Sequence, residues 1–126
     1  MWAALQHSRH VEFYEDFHRD RYHRGEDWQP MVRAIHYLQS QDYAPSLFAF
    51  TSLSYFQVTT SPTYAECERH HFVCITWSFA ERQFHLAYSA GGWVSPPPER
   101  VCEESAFPSA VDTLIQRLLL QSLESN

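Results

Sequence analysis

The chain has 126 residues, 44% of them hydrophobic and 16% aromatic, and a formal net charge of −6 with neutral histidines. This length predicts one domain, residues 1–126, and the high aromatic content argues against a disordered chain. There is no lysine, and Arg19, Arg21 and Arg24 stand among acidic residues, so the sequence lacks the basic face that nucleic-acid binding requires.

Membrane, disulfide and nucleotide chemistry are also disfavoured. No stretch approaches the roughly 20 apolar residues of a membrane span, and the first residues do not resemble a signal peptide. Cys67, Cys74 and Cys102 form an odd set without C-x-x-C spacing, which indicates reduced thiols. With three glycines the chain has no glycine-rich phosphate loop. We therefore expect a cytoplasmic protein that binds no membrane and no cofactor.

Two helices are predicted in the N-terminal part. Residues 7–23 carry apolar side chains near helical spacing, and Gly25 ends that segment. Asp27 is the expected cap of a second helix, with Pro30 in its first turn, where a missing N–H costs little. The apolar stripe of this second helix runs to Leu38.

From Ser46 onward the pattern becomes that of strands. The segment 47–60 is rich in Phe, Thr, Tyr and Val and is too long for one ordinary strand. It is interpreted either as a hairpin that breaks near Ser52 or as a single bulged strand. Residues 100–104 are interpreted as a short edge strand guarded by charge.

Residues 73–88 predict a β-hairpin, with Glu81 and Arg82 at the centre of its loop. One register places large apolar residues on one face and small or polar residues on the other, and a slip of one residue would spoil both faces. The expected pairs are Phe79–Phe84, Trp77–Leu86 and Ile75–Tyr88 on the apolar face, and Ser78–His85, Thr76–Ala87 and Cys74–Ser89 on the other.

Ser105 and Pro108 mark the start of a C-terminal helix. Its apolar stripe must pack on another element, and the aromatic face of the sheet is the simplest partner. The stripe consists of Phe107, Val111, Leu114, Ile115 and Leu118. The order of elements predicts an α+β fold, with a four- or five-stranded, mostly antiparallel sheet, two N-terminal helices and one C-terminal helix, and the helices on one face of the sheet.

Residues 67–74 hold two cysteines and two histidines, a spacing that suits zinc only if the segment folds as a knuckle. In a strand, His70 and Cys74 would lie about 13 Å apart, too far for one ion. We interpret the segment as a polar connector that enters a strand with a buried thiol. His7 and His10 are likewise interpreted as surface histidines of the first helix, and no metal site is expected.

Nucleophilic catalysis has few candidates. The pair Ser78 and His85 is interpreted as a plain cross-strand hydrogen bond, because no carboxylate is predicted beside His85 and no G-x-S-x-G elbow surrounds Ser78. Cys74 and Cys102 are interpreted as unreactive, since Glu103 beside Cys102 would raise the pKa of its thiol. No catalytic residue is expected, and substitution of Ser78 or His85 should leave any activity nearly intact.

The predicted binding surface is the small and polar face of the hairpin, together with two aromatic residues expected nearby. Its members are Tyr64, Thr76, Ser78, His85, Ser89 and Trp93. An ordinary solvated sheet face, or a second core layer under the first helix, is the alternative interpretation of this surface.

The acidic balance, the aromatic-rich sheet and the absence of a catalytic constellation predict a non-catalytic module that binds another protein, with acidic residues steering a basic partner. In size, charge and order of elements, the chain resembles the small acidic α+β proteins that neutralise or escort another protein, such as bacterial immunity proteins or secretion chaperones, without a shared motif. The alternative is a small-molecule-binding domain or modest enzyme with a pocket between sheet and helices lined by Trp77, His85 and Tyr88. An enclosed pocket that contains a histidine would favour this alternative, whereas a filled core with an exposed aromatic patch would favour protein binding.

Overall fold

The computed structural model describes residues 2–19, 27–52, 55–60, 71–90 and 97–124, and only the backbone of residues 17–19 and 124. These ranges form an α+β fold of three helices and an antiparallel sheet. Within them, none of the helices has the length and hydropathy of a membrane span. The predicted site residues Tyr64 and Trp93 lie outside the described residues, as do residues 67–70 and 20–26.

The described part of the sheet has six strands, one more than the upper limit of the prediction, and each strand pairs antiparallel with the next along the chain. The strands are β1 (Trp2–Ala4), β2 (Phe48–Thr51), β3 (Phe56–Thr59), β4 (Phe72–Ser78), β5 (Gln83–Ser89) and β6 (Arg100–Cys102). The strand that the prediction lacks is β1, whose three residues are too few to show a period of two. Its pairing with β2, which is distant in sequence, creates it.

The segment 47–60 forms the hairpin rather than the single bulged strand. Strand β2 ends at Thr51 and β3 begins at Phe56, close to the expected break. Ala49, Phe56 and Val58 are completely buried in the core.

The helices are α1 (Arg9–Arg19), α2 (Gln29–Gln39) and α3 (Phe107–Glu124), and single 3₁₀ turns occupy Ala44–Ser46 and Glu104–Ala106. Trp28, not Asp27, holds the N-cap position of α2. The carboxylate of Asp27 nevertheless accepts a hydrogen bond of 3.0 Å from the backbone N–H of Gln29, so it satisfies one of the free donors of the first turn. A 3₁₀ turn that contains Ser105 precedes α3 and delays its start to Phe107.

The predicted register of the β4–β5 hairpin is wrong by two residues. Trp77 pairs with Phe84, and Ser78 pairs with Gln83. The loop therefore has four residues, and Arg82 within it adopts a φ of 54°. A two-residue hairpin loop centred on Glu81 and Arg82 would need a positive φ at its first residue or at both, which glycine, asparagine and aspartate tolerate best. Of the four residues of the longer loop, Arg82, the last, is the one with a positive φ.

A shift by two residues changes every pair but keeps every side chain on its predicted face, because side chains alternate with a period of two. The helix-facing side of the hairpin is therefore the apolar one, as expected. It carries Val73, Ile75, Trp77, Phe84, Leu86 and Tyr88, all of which belong to the main core or pack against it. The same core contains the predicted stripe of α3 in full, and α3 contacts both β4 and β5.

A second, smaller cluster lies on the opposite side of the sheet. Phe72, Cys74 and Ala87 are buried there, and Trp2 and Tyr55 pack against them. No residue of the described helices belongs to this cluster. Two small residues of the predicted second face, Cys74 and Ala87, are therefore buried in a core of their own and are not part of a solvated surface.

Asp112 of α3 joins the last helix to the segment that contains α2. The hydroxyl of Tyr37 donates a hydrogen bond of 2.6 Å to one carboxylate oxygen, and the hydroxyl of Tyr43 donates one of 2.7 Å to the other. Burial and the bond to the carboxylate together raise the pKa of Tyr37 to about 12. Both phenols therefore remain protonated donors at neutral pH.

We expect Asp112→Ala to lower the free energy of unfolding by about 2 kcal/mol, because hydrogen bonds to charged groups are the stronger kind and two phenols lose their acceptor. Urea denaturation measures the effect. Thr113→Ala, at the next and exposed position of α3, is the matched control and should change stability by less than about 0.5 kcal/mol. Equal effects of the two substitutions would contradict the role given to Asp112.

His10 is a second polar tie, and it corrects the prediction of a surface histidine, because the side chain is completely buried. Its Nε2 lies 3.0 Å from the backbone oxygen of Ala4, which can only accept, so Nε2 carries the proton. Its Nδ1, 2.5 Å from Oγ1 of Thr51, then accepts from that hydroxyl in the neutral ring. Burial lowers the pKa of His10 below its ordinary value.

The lowered pKa makes the fold sensitive to acid. The unfolded chain takes up a proton at His10 near pH 6.5, whereas the folded chain resists it, so this contribution is fully present above pH 6.5 and is lost as the pH falls toward the folded pKa. We expect the free energy of unfolding to fall by up to about 1.4 kcal/mol per pH unit in that window. His10→Gln should flatten the dependence of the free energy of unfolding on pH, whereas His36→Gln, at an exposed position, should not. Unfolding curves measured from pH 7.5 to 5 test this. The prediction is refuted if His10→Gln leaves the pH dependence of the wild-type protein unchanged.

Candidate functional site

An open cleft of about 470 Å³ lies between α3 and the sheet. Its lining residues are His71, Tyr88, Thr113, Gln116, Arg117, Leu120 and Gln121. Two of them come from β5 and from the residue that precedes β4, and the other five come from α3. The cleft therefore lies where the helix passes the end of the hairpin opposite to its loop.

The helical wall of the cleft follows from the sequence of α3. Its five residues recur at positions i, i+3, i+4, i+7 and i+8, which places them on one face of a helix. This face lies beside the buried stripe and differs from it in chemistry, because it combines polar side chains with one leucine. Leu120 is 60% exposed, and Leu123, three residues further along, is 73% exposed.

The sheet wall is built around Tyr88. Its ring is buried in the main core. The hydroxyl reaches Nδ1 of His71 at 2.7 Å. Tyr88 and Val73 pair across β4 and β5, and His71 lies two residues before Val73, so the period of two brings His71 to the same side of the sheet. Burial raises the pKa of the Tyr88 phenol, so it stays neutral and shares one hydrogen bond with the histidine.

Arg117 covers this pair from the helix side. The central carbon of its guanidinium group lies 4.1 Å from the centroid of the Tyr88 ring, which is a cation–π contact. Its Nη1 donates to both carboxylate oxygens of Glu99, at 3.1 and 3.3 Å. The backbone N–H of Glu99 donates to the carbonyl of Leu86 at 2.8 Å, which fixes this carboxylate beside β5. An exposed ion pair of this kind adds at most about 1 kcal/mol to stability, so its main effect is to orient the guanidinium group.

The cleft thus offers an oriented cation, a hydrogen-bonded phenol–imidazole pair, several uncharged polar side chains and an exposed leucine. These groups suit recognition of a ligand that has both a polar and an apolar part. Nucleophilic catalysis would require more than these groups, namely a nucleophile with both a base and an orienting acid within hydrogen-bonding distance.

The predicted polar face is formed, but its described members do not converge on one point. Thr76 pairs with His85, and its hydroxyl donates to the backbone carbonyl of that residue at 3.3 Å. Ser89 is buried at the other end of β5, four residues from His85, or about 13 Å along the strand. Tyr64 and Trp93 lie outside the described residues, so their place relative to this face stays a prediction.

Ser78 and His85 are not the directly opposed pair that the sequence predicted, because the register moves Ser78 opposite Gln83. The Oγ of Ser78 accepts a hydrogen bond of 3.2 Å from the backbone N–H of Glu81, so it supports the hairpin loop. The expectation that no carboxylate lies beside His85 is also wrong: Oε1 of Glu81 is 3.4 Å from its Nε2. The four-residue loop brings that carboxylate back over the strand.

The histidine and cysteine segment is only partly described, since Cys67 and His70 lie outside the described ranges. His71 belongs to the cleft, and Cys74 is buried on the other side of the sheet. Among the described residues, no three His, Cys, Asp or Glu side chains lie close enough together to hold a metal ion.

Sequence reasoning missed the cleft, apart from Tyr88, which it placed in a pocket together with Trp77 and His85. Neither Trp77 nor His85 is among the residues that line the cleft. Two signals were available: the mixed stripe from Thr113 to Gln121, and two leucines, Leu120 and Leu123, that lie off the apolar stripe of α3.

Comparison with known proteins adds no further constraint: no protein-family model, no curated protein and no solved structure matches this chain.

Cys74 and Cys102 are free and buried. Burial raises the pKa of the Cys74 thiol to about 11, and burial, rather than the neighbouring glutamates, is the main cause of the raised pKa of Cys102. Because the thiolate is the reactive form, both are poor nucleophiles.

We expect Cys74 in the folded protein to react with iodoacetamide at pH 8 about a hundredfold more slowly than in urea, because two pKa units remove that much thiolate. Site-resolved mass spectrometry of a labelling time course measures the rate. The same protein in urea is the control, and equal rates in the two conditions would show that Cys74 is accessible and reactive.

Proposed function

We propose that this chain is a non-catalytic protein-binding module of the immunity or escort type, and that the cleft beside α3 receives a segment of its partner. The observation that carries the proposal is the exposure of Leu120, which lines the cleft, and of Leu123, three residues further along α3. The proposal keeps the function predicted from the sequence and moves its principal surface from the hairpin to α3.

The two leucines are more than scattered surface residues. They are three positions apart, so their side chains are neighbours on one helix face, and Leu120 also lines the cleft. If a partner buried one of these side chains completely, its removal from water would contribute about 1.5–3 kcal/mol to the binding free energy. Neighbouring exposed apolar side chains beside a groove are typical of a protein-interaction site.

The shape of the cleft supports a chain segment as the occupant. A pocket for a small molecule usually encloses most of its ligand, whereas this cleft is open along the helix. A helix packed beside a sheet can form a groove in which a peptide is held by a few anchoring side chains.

Charge supports association with a basic protein. The net charge of −6 favours the approach of a positively charged partner, chiefly by raising the association rate at low salt. Free, buried thiols fit a reducing compartment, and a cytoplasmic location forms part of the proposal.

The volume of the cleft favours a second candidate, a small-molecule-binding domain. About 470 Å³ falls within the range of ligand pockets, and the Tyr88–His71 pair at its wall supplies directional polar groups. This is the alternative predicted from the sequence, with Tyr88 retained in its wall and His71 in place of His85.

The proposal is tested with a photo-crosslinking residue at position 120, and again at position 101, in otherwise identical proteins. Val101 is the matched control because it is apolar and 48% exposed, and lies on β6. A protein captured from position 120 and not from position 101 is then purified, and its binding to the unlabelled chain is measured by calorimetry.

We expect Leu120→Ser combined with Leu123→Ser to weaken that binding at least about 30-fold, which corresponds to roughly 2 kcal/mol of lost apolar burial. Val101→Ser should change the affinity by less than about twofold. Capture that is equal at both positions, or binding that survives the double substitution, would refute the proposal. Capture of a metabolite in place of a protein would favour the second candidate.

A further inference from the structure

The charge inside the cleft is opposite in sign to that of the whole chain. The net charge is −6, yet the seven residues that line the cleft include Arg117 and neither aspartate nor glutamate. Glu99, which pairs with Arg117, is not among the lining residues. Among the described lining residues, the one fixed charge that faces an occupant of the cleft is therefore positive.

The guanidinium group of Arg117 is held in a fixed orientation, and some of its N–H donors are not engaged by Glu99. Both of its hydrogen bonds to Glu99 leave from Nη1, so within the described part of the chain Nε and Nη2 keep donors for a second acceptor. A guanidinium group binds a carboxylate best through two parallel N–H groups. The stacking on Tyr88 holds its plane in place before any ligand arrives, which lowers the entropy lost on binding.

An apolar contact lies directly beside this cation. Arg117 and Leu120 are three residues apart on α3, so their Cβ atoms are about 5–6 Å apart. That spacing fits a carboxylate and an apolar side chain attached to the same Cα atom. The last residue of a polypeptide has this arrangement, because its main-chain carboxylate and its side chain share one Cα.

Resting on the proposed function, we infer that the cleft binds the C-terminal carboxylate of a partner chain that ends in an apolar residue, with Arg117 on the carboxylate and Leu120 on the side chain. Thr113 and Gln116, one turn earlier on the same helix face, are placed to bind the peptide groups that precede the terminus. The apolar last residue of the partner then contacts the exposed leucines, and the rest of the partner, which is basic, faces the acidic surface of this chain.

The test uses N-acetyl-leucine as the probe, which presents a terminal carboxylate beside a leucine side chain. N-acetyl-leucinamide removes the charge and keeps the shape, and N-acetyl-glutamyl-leucinamide moves the carboxylate to a side chain. Each is titrated into ¹⁵N-labelled protein, and chemical shifts of the α3 amides and of the Arg117 side chain give the affinity.

We expect N-acetyl-leucine to shift the signals of Arg117, Leu120 and Thr113 in a saturable manner, and both amides to bind at least fivefold more weakly. Arg117→Gln should remove that preference. Arg33→Gln is the matched control: Arg33 is 55% exposed and Arg117 is 56% exposed, and each pairs with a glutamate, but Arg33 lies on α2. Glu99→Gln should strengthen binding of the acid, because it removes the competing carboxylate.

The inference is overturned if the terminal amide binds as well as the acid, if the side-chain carboxylate binds equally well, if N-acetyl-leucine does not bind, or if Arg33→Gln is as harmful as Arg117→Gln. Its failure is separable from that of the proposed function. A partner whose binding depends on Leu120 and Leu123 but not on Arg117 would retain protein binding and exclude carboxylate recognition.

Discussion

The alternation of side chains along β4 and β5 is the constraint on which the rest of the structure depends. Large apolar residues occupy every second position of both strands, so the hairpin has one face that must be removed from water. The buried stripe of α3 covers that face, and the core formed in this way also holds residues of α1 and α2. Without the alternation, neither the sheet nor the helix would have a defined partner.

The candidate site follows from the same contact. While one stripe of α3 is buried against the hairpin, the adjacent stripe is carried to the edge of the contact, where Tyr88 and His71 end the sheet wall. The cleft therefore lies at the edge of the hydrophobic core. The Tyr88 ring in its sheet wall is packed into the main core, which suits a site that must orient Arg117 before a ligand binds.

Buried and partly buried polar contacts connect the layers of the fold. Asp112 connects α3 to Tyr37 of α2 and to Tyr43, which follows α2. His10 connects α1 to β1 and β2. Such contacts stabilise the fold only while each group keeps its partner and its protonation state. For this reason we expect acid to destabilise the fold through the buried imidazole of His10 on the first helix.

The sequence predicted which face of the sheet each hairpin residue occupies, but not which residues pair across the two strands. Which residues of β4 and β5 turn inward is a local property of the period of two. The pairing of Trp77 with Phe84 depends instead on the loop, which has four residues and a positive φ at Arg82, its last residue. The same limit explains Ser78 and His85, which share the expected face but are not opposite each other, and Glu81, which the longer loop returns to His85.

The sequence by itself determined the α+β class, the apolar stripe of α3 and the inward face of the hairpin, because each depends on spacing within one element. The tertiary structure alone decided the strand β1, the burial of His10 and the cleft. Those features arise between residues far apart in the chain: Trp2 with Phe50, His10 with Thr51, and His71 and Tyr88 with Arg117. No periodicity within a segment encodes which distant segment will lie beside it, so contacts of this kind appear only when the layers have packed.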